Sequence, residues 1–306
     1  MRYFVHTFIM PWEIDEFLIL ARKLKKSYYY LDKDSEYTFY VCLNLSSAII
    51  DWDKSKLDKR FFIDKFHSIL EILSNSYNVE WEIYEGSNPV GHLDVEKKLF
   101  ERYSEFDGIL SLCPDVHFHE TLLSSMFSAF EAVNNEFVVI TPQTHRLWDK
   151  NWDEMVNDQC ENLDYENYKQ IDVYDVEWIT EMNLNNISTY EIKNYRWSGW
   201  CDLRSSKLVE LFPPPKSWTG YGPYDTYLMV VLKNYNKINK WFDFKQYCIK
   251  NQVIGKYSNH NFKNFYKEYL VFNDIKGDKR AKYESELLKI AYEEIQLKLN
   301  KIIIMK

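Results

Sequence analysis

The sequence lacks the features that mark membrane-spanning or secreted proteins. No apolar run approaches the roughly 20 residues that a membrane-spanning helix needs. The apolar stretch at residues 2–10 is short, has no small-residue cleavage site and runs directly into Pro11, which is typical of a first strand rather than a signal peptide. We therefore expect no membrane segment and a cytoplasmic location.

Cysteine and positive charge are also scarce. The five cysteines are scattered, odd in number and without a CxxC pair, which argues against a disulfide framework or a zinc knuckle and favours a reducing compartment. The net charge of −8 argues against a large nonspecific nucleic-acid surface, because phosphate binding needs clustered Lys and Arg. A local basic groove is compatible with that charge.

Aromatic residues, in contrast, are abundant. They make up 17% of the chain, with 24 Tyr and 10 Trp. Planar side chains stack on sugars and bases, so this composition suits a carbohydrate or nucleotide site. Tyr, Phe, Ile, Asn and Lys also have AT-rich codons, so a skewed genome gives the same composition without any functional demand. Both explanations stay open.

Strand-like and helix-like segments alternate through the first 141 residues, as in βαβ units. Hydrophobic spacing predicts strands at 2–10, 36–44, 78–84, 108–113 and 136–141, and helices at 12–26, 57–74, 94–103 and 120–133. At 306 residues the chain can form one large α/β domain, with or without a helical appendage. The predicted class is α/β, with a mainly parallel central sheet and flanking helices.

The amino-acid composition of the sequence changes beyond Pro142. Residues 147–174 are rich in Trp, Asp and Asn with little periodicity, which indicates long loops. We predict strands at 174–182 and 189–197, a short helix after Arg204, a helix at 226–233, helix again from residue 238, and a long amphipathic helix at 278–301. This divides the chain into segments 1–141, 142–235 and 236–306.

A first motif, Ser111-Leu112-Cys113-Pro114-Asp115-Val116-His117, closes the predicted strand at 108–113. Alternation puts Asp115 and His117 on one face at the carboxyl end of that strand, and His119 continues the pattern. A carboxylate favours Mg or Mn, and an imidazole shifts the preference toward Mn. Such an ion would bridge a nucleotide diphosphate, although a solvated strand end gives the same pattern.

A second motif, Trp218-Thr219-Gly220-Tyr221-Gly222-Pro223-Tyr224-Asp225-Thr226, contains a glycine-rich loop that would let the backbone approach a ligand. It ends in an acid at the start of a predicted helix. Asp225 is therefore a candidate general base for an acceptor hydroxyl. The alternative is that it only caps the helix that follows.

The two motifs, with Gly199-Trp200 between them, resemble the landmarks of metal-dependent GT-A glycosyltransferases over roughly residues 2–235. Asp115 and His117 match that family's Asp-x-Asp, with His in place of the second Asp. Tyr224 and Asp225 match its acidic pair, with Tyr in place of the first acid. The resemblance implies a GT-A-like fold, a nucleoside diphosphate sugar as the donor, specifically a UDP-sugar, and Mn or Mg as cofactor.

The resemblance also implies roles for individual residues. The segment 1–141 would bind the nucleotide-sugar, 142–235 would form the acceptor-binding and catalytic half, and 236–306 a C-terminal helical region. Asp225 would be the catalytic base of an inverting transfer, or would orient the acceptor in a retaining one. The implied donor contacts are Thr7, Pro11, Asn44, Gly91, Asp115 and Arg204, the metal ligands Asp115, His117 and His260, and the acceptor contacts Trp200, Tyr221, Gly222 and Tyr224.

Several alternatives stay open at this point. Arg204 would clamp phosphate or anchor an acid such as Asp202, and His260 is either a third ligand or incidental. The acceptor would be a glycan or a hydroxymethylated DNA base, as suits a phage or bacterial enzyme. A noncatalytic sugar- or nucleotide-binding protein with the same fold is the main alternative, while the facial triad of a non-haem iron oxygenase fits poorly with alternating strands and helices.

Overall fold

A computed structural model gives the fold. It describes residues 1–47, 49–50, 58–87, 92–133, 136–144, 146–148, 154–156, 189–191, 199–215, 224–225, 227–228 and 243–256, together with 289, 293 and 296. No helix in this described part of the chain has the length and hydropathy to cross a bilayer.

The described strands are β1 (Arg2–Ile9), β2 (Glu36–Asn44), β3 (Asn78–Tyr84), β4 (Gly108–Leu112), β5 (Val116–His117), β6 (Phe137–Thr144), β7 (Arg146–Trp148), β8 (Glu154–Val156), β9 (Thr189–Glu191), β10 (Cys201–Ser205) and β11 (Phe244–Lys256). Most of them form a central sheet in the spatial order β3-β2-β1-β4-β10-β6-β11-β5, with β9 added beside β11. Its first four strands are parallel, and β10 lies antiparallel between β4 and β6. A separate hairpin joins β7 and β8.

Helices cover both faces of this sheet. The described helices of six or more residues are α1 (Ile14–Ser27), α2 (Lys59–Ser74), α3 (His92–Leu99), α4 (Leu122–Val133) and α5 (Ser206–Leu211). Short 3-10 segments, Pro11–Glu13, Tyr28–Tyr30 and Phe100–Glu105, extend α1 at both ends and α3 at its end. The side chain of Asp58 caps α2 by accepting a hydrogen bond from the Arg60 N–H.

Alternate side chains of β1 pack into two separate hydrophobic cores, one on each face of the sheet. Tyr3, Val5 and Ile9 pack on the face covered by α1, α2 and α4, whereas Phe4 and Phe8 pack on the face covered by α3. Because the strands of a parallel sheet are buried on both sides, β1 is apolar almost throughout. The α/β class with a mainly parallel central sheet is confirmed.

One expectation about the C-terminal segment was wrong. Residues from 238 on were expected to be helical, but Phe244–Lys256 forms β11, a 13-residue strand parallel to β6. Phe244, Gln246 and Cys248 are buried in alternation, which is a period of two, and the polar Gln and Lys residues hide that period from a hydrophobicity pattern. Lys289, Glu293 and Gln296 are helical, within the expected helix at 278–301.

Candidate functional site

Four of the six expected donor contacts lie at one edge of the sheet. β1 runs parallel to both β2 and β4, with Ile9 opposite Leu43 and His6 opposite Ser111. The carboxyl ends of the three strands therefore lie side by side, which is where open α/β sheets bind ligands. This edge carries the expected donor residues Thr7, Pro11, Asn44 and Asp115.

Two hydroxyl groups are buried at this edge. Thr7 is 1% exposed and Ser46 is 0% exposed. Neither Thr7 Oγ1 nor Ser46 Oγ has a hydrogen-bond partner among the residues that the structure describes. Asn44 Oδ1 accepts a hydrogen bond from the Ser46 N–H at 3.1 Å and so fixes the chain where β2 ends. Buried polar atoms normally have partners, so these hydroxyls mark a place where a polar ligand or water belongs.

Asp115 is buried beyond the end of β4 and has a second carboxylate nearby. It is 2% exposed. Glu16 lies in the first turn of α1, the helix that follows β1. Burial raises the pKa of Glu16, and the Asp115 carboxylate adds to that rise. Glu16 was not among the predicted site residues, although an acid in the first turn of a helix, directly after a predicted strand, is a usable indication.

His117 and His119 differ in what their ring nitrogens do. His117 lies on β5, opposite Gly255 of β11, and its Nε2 is buried without a hydrogen-bond partner among the described residues. Burial lowers the pKa of His117 to about 4, and Lys23 contributes to the decrease. The imidazole is therefore neutral at pH 7, which is the form that binds metals.

His119, by contrast, is held by hydrogen bonds at Nδ1. The Thr121 N–H donates to His119 Nδ1 at 3.3 Å, and Thr121 Oγ1 lies 2.8 Å from the same atom. Gln252 Nε2 in turn donates to Thr121 Oγ1 at 2.9 Å. Because Nδ1 accepts a hydrogen bond from the Thr121 N–H, it is not available to a metal.

The chemistry of Asp115 and His117 fits part of a divalent-cation site. A cation would offset the adjacent carboxylates of Asp115 and Glu16, and the neutral His117 can supply a nitrogen. Within the described residues no cluster of three His, Cys, Asp or Glu side chains has the spacing of a metal site. The third expected ligand, His260, lies outside the described residues.

Asp225 is joined to the segment that leads into Asp115. Its Oδ2 accepts a hydrogen bond from the Gly199 N–H at 3.1 Å, and a Cβ atom at Gly199 would lie 3.3 Å from that oxygen. The next carbonyl along the chain, that of Trp200, accepts a hydrogen bond from the Cys113 N–H at 2.8 Å. Two hydrogen bonds, through Gly199 and Trp200, therefore connect the Asp225 segment to the segment that leads into Asp115.

Arg204 is buried in a network of charged and polar groups. Its Nη2 lies 2.8 Å from Glu96 Oε1 and its Nε lies 2.9 Å from Asp202 Oδ2. The anchoring of Asp202, one of the two roles open for this residue, is present. A contact between Arg204 and phosphate stays a prediction.

Of the expected acceptor residues, the structure describes Trp200 and Tyr224. Trp200 is 7% exposed. The Tyr224 hydroxyl donates to the Phe212 carbonyl at 2.7 Å, and the Arg204 guanidinium lies 5.4 Å from the centre of the Tyr224 ring. Three further expected site residues, Gly91, Tyr221 and Gly222, lie outside the described residues.

Comparison with known proteins gives a distant likeness in fold. No family model matches the sequence, and no curated protein matches it. The structure of GalNAc-T7 with UDP, GalNAc and Mn²⁺ is similar at a TM-score of 0.49 and 8% identity, covering 85% of this chain and 45% of that one. S. aureus TarS 1–349 in complex with UDP-GlcNAc is similar at a TM-score of 0.45 and 13% identity, covering 96% and 73%. Likeness at this level establishes neither a shared family nor a shared activity.

Proposed function

We propose that the protein is a glycosyltransferase that moves a sugar from a nucleoside diphosphate sugar to an acceptor hydroxyl. The observation that carries this proposal is the link between the Asp115 and Asp225 segments through Trp200 and Gly199. A site for donor diphosphate and a candidate base belong within one cleft if a sugar is to pass directly between them.

The donor half of the proposal rests on the carboxyl edge of the sheet. Thr7 and Ser46 offer buried hydroxyls to a nucleoside, and Asn44 orders the loop that carries Ser46. A Mn or Mg ion held by Asp115 and His117, with His260 as a further ligand, would neutralise charge on the departing diphosphate. We propose a UDP-sugar as the donor, with Pro11, Gly91 and Arg204 as additional contacts.

The acceptor half of the proposal centres on Asp225. Its carboxylate accepts the acceptor's hydroxyl proton, while the Gly199 N–H holds Oδ2 in place. A single displacement from the side of this base inverts the configuration at the sugar. We propose Trp200, Tyr221, Gly222 and Tyr224 as acceptor contacts, and a glycan or a hydroxymethylated DNA base as the acceptor.

Release of UDP from a panel of UDP-sugars, measured with Mn²⁺ and with water or added glycans as acceptor, tests this function. Asp225→Asn should lower kcat by about 10²–10⁴-fold, the usual contribution of a general base, and leave the donor KM unchanged. Asp115→Asn should weaken donor binding instead. Asp64→Asn is a matched control, because Asp64 is 71% exposed on α2 and pairs only with Arg60 in the described contacts.

Two results would contradict the proposal. Full activity in Asp225→Asn would exclude this residue as the base. Nucleotide binding by the wild type without sugar release from any donor would favour the noncatalytic binding protein.

A further inference from the structure

A buried cluster of charged groups lies beside the Asp225 segment. Two of its members, Glu96 and Asp202, have no place in the proposed donor or acceptor contacts. Glu96, Asp202 and Arg204 are 0%, 3% and 2% exposed. Burying charges is costly unless they are paired, and such clusters often occur at functional sites. The sequence shows the cluster only as two charged residues alternating on an apolar strand, Asp202 and Arg204 of β10.

The contacts within the cluster place Arg204 at its centre. Its guanidinium bridges the two carboxylates, with 2.8 Å to Glu96 and 2.9 Å to Asp202. Glu96 belongs to α3 and also accepts a hydrogen bond from the Tyr103 hydroxyl at 3.1 Å. His6 Nε2 of β1 lies 3.4 Å from Glu96 Oε1. The cluster therefore joins β10 to β1 and α3.

The cluster reaches Asp225 from two directions. Along β10, Asp202 lies three residues beyond Gly199, whose N–H binds the Asp225 carboxylate. From the other side, Arg204 lies against the ring of Tyr224, the residue that precedes Asp225, and the Tyr224 hydroxyl is anchored to the Phe212 carbonyl. The cluster is therefore continuous with Gly199 through β10 and in contact with Tyr224 through Arg204.

We propose that Asp202, which Arg204 holds in place, is a positioning residue whose own carboxyl group acts on the reaction through Asp225. The effect on the reaction rests on the proposed function. The charge pairing itself is a property of the folded chain and can be measured without any substrate.

The electrostatics of Asp202 agree with this role. Burial raises the pKa of Asp202 to about 7; Arg204 opposes the rise, and the charges of Glu96 and Asp225 add to it. Asp202 is therefore neutral below pH 7 and ionised above it. Its ionisation adds a negative charge to this part of the site, and a nearby negative charge favours the removal of a proton from an acceptor hydroxyl by a carboxylate.

The charge pairing is tested by NMR on the full chain labelled with ¹³C at the aspartate side-chain carboxyls. Loss of one resonance in Asp202→Asn assigns that residue. We expect the Asp202 carboxyl to titrate near pH 7 in the wild type, and at lower pH in Asp225→Asn, because a negative neighbour has been removed. Asp64→Asn makes the same chemical change at an exposed site and should leave the titration unmoved.

The variants are chosen to keep the fold. An Asn side chain at 225 retains an oxygen for the Gly199 N–H, and Asp225→Ser removes the same charge if the Asn variant loses its folded amide spectrum. A titration of Asp202 that is the same in the wild type and in the folded variant at 225 would overturn the proposal. So would an Asp202 carboxyl that titrates near the ordinary aspartate value of about 4.

The role of Asp202 in the reaction is tested by the pH dependence of UDP release. In the wild type, kcat should rise as the pH increases through 7. In Asp202→Asn this rise should be absent, while the donor KM should be unchanged. A variant that had only lost part of its folded structure would not show this combination. A rise through pH 7 that survives in Asp202→Asn would overturn the role. If the wild type releases no UDP, the proposed function fails, and the NMR titration still decides the pairing.

Discussion

At the scale of single residues, the most informative groups are polar side chains in places where the fold should be apolar. Thr7, Asp115, Asp202 and Arg204 are each 3% exposed or less. Each costs free energy in the folded chain unless a partner or a ligand compensates for its burial. Substitutions at these positions therefore separate function from stability.

Thr7→Val is expected to stabilise the protein and weaken nucleotide binding. The Thr7 hydroxyl is buried with no partner among the described residues, and such a group costs about 1–3 kcal/mol that a methyl group of similar size recovers. The measurements are the free energy of unfolding in urea and the dissociation constant for UDP.

The matched control for this variant is Thr38→Val on β2. Thr38 Oγ1 accepts a hydrogen bond from Asn78 Nδ2 at 3.3 Å, so its loss should destabilise the chain by about 0.5–1.5 kcal/mol. A destabilisation of equal size in both variants would show that the Thr7 hydroxyl is already satisfied in the free protein.

Asp202→Asn is expected to change the pH dependence of stability. The folded chain keeps the Asp202 proton up to about pH 7, whereas the unfolded chain releases it near pH 4. Between these values unfolding releases a proton, so the wild type loses stability as pH rises, by an amount on the order of a few kcal/mol.

The comparison is between thermal midpoints of the wild type and Asp202→Asn from pH 4 to 8. The Asn variant should gain stability relative to the wild type as pH rises to 7, with no further relative change above it. A difference that stays constant over this range would contradict the assigned pKa.

At the scale of helices and strands, the sequence pattern predicts an element well where burial is one-sided or complete. Glu36–Asn44 and Asn78–Tyr84 match their predicted bounds, because both are rich in aromatic and β-branched residues and turn residues flank them. β11 was missed because Gln246 and Gln252, both 0% exposed, are polar residues in buried strand positions. Their partners come from distant parts of the chain, such as Thr121 for Gln252, and no local pattern reports them.

Two phenylalanines of helix α2, one buried and one exposed, test which side of this helix faces the core. Phe66 is 0% exposed and Phe61 is 46% exposed. Phe66→Ala should lower the free energy of unfolding by about 3–5 kcal/mol, because it removes a fully buried ring and leaves a cavity.

Phe61→Ala should cost under about 1 kcal/mol, since surface changes have small effects. Chemical denaturation of both variants under the same conditions makes this check. An equal decrease in the free energy of unfolding in both variants would show that α2 is rotated differently about its axis, with Phe61 also packed against the core.

At the scale of the whole molecule, the sheet brings distant motifs to one side. Asp115 and Asp225 are 110 positions apart in the sequence, yet antiparallel pairing of β10 with β4 sets their segments next to each other. The sequence motifs predicted a shared site only through a family resemblance. The acids Glu16 and Glu96 were not predicted, because their roles arise from pairing between elements rather than from local spacing. The pairing of Asp202 with Arg204 was one of the two roles predicted for Arg204.

The most direct test of the central claim is the thermal midpoint of the protein with UDP and Mn²⁺ together, measured for the wild type, Asp115→Asn and Asp64→Asn. Ligand at one hundred times its dissociation constant stabilises a folded protein by about 2.7 kcal/mol. We predict that the midpoint of the wild type and of Asp64→Asn rises only when both UDP and Mn²⁺ are present, and that Asp115→Asn shows no rise. An equal rise in Asp115→Asn, or no rise in the wild type, would contradict a nucleotide diphosphate site at the carboxyl edge of this sheet.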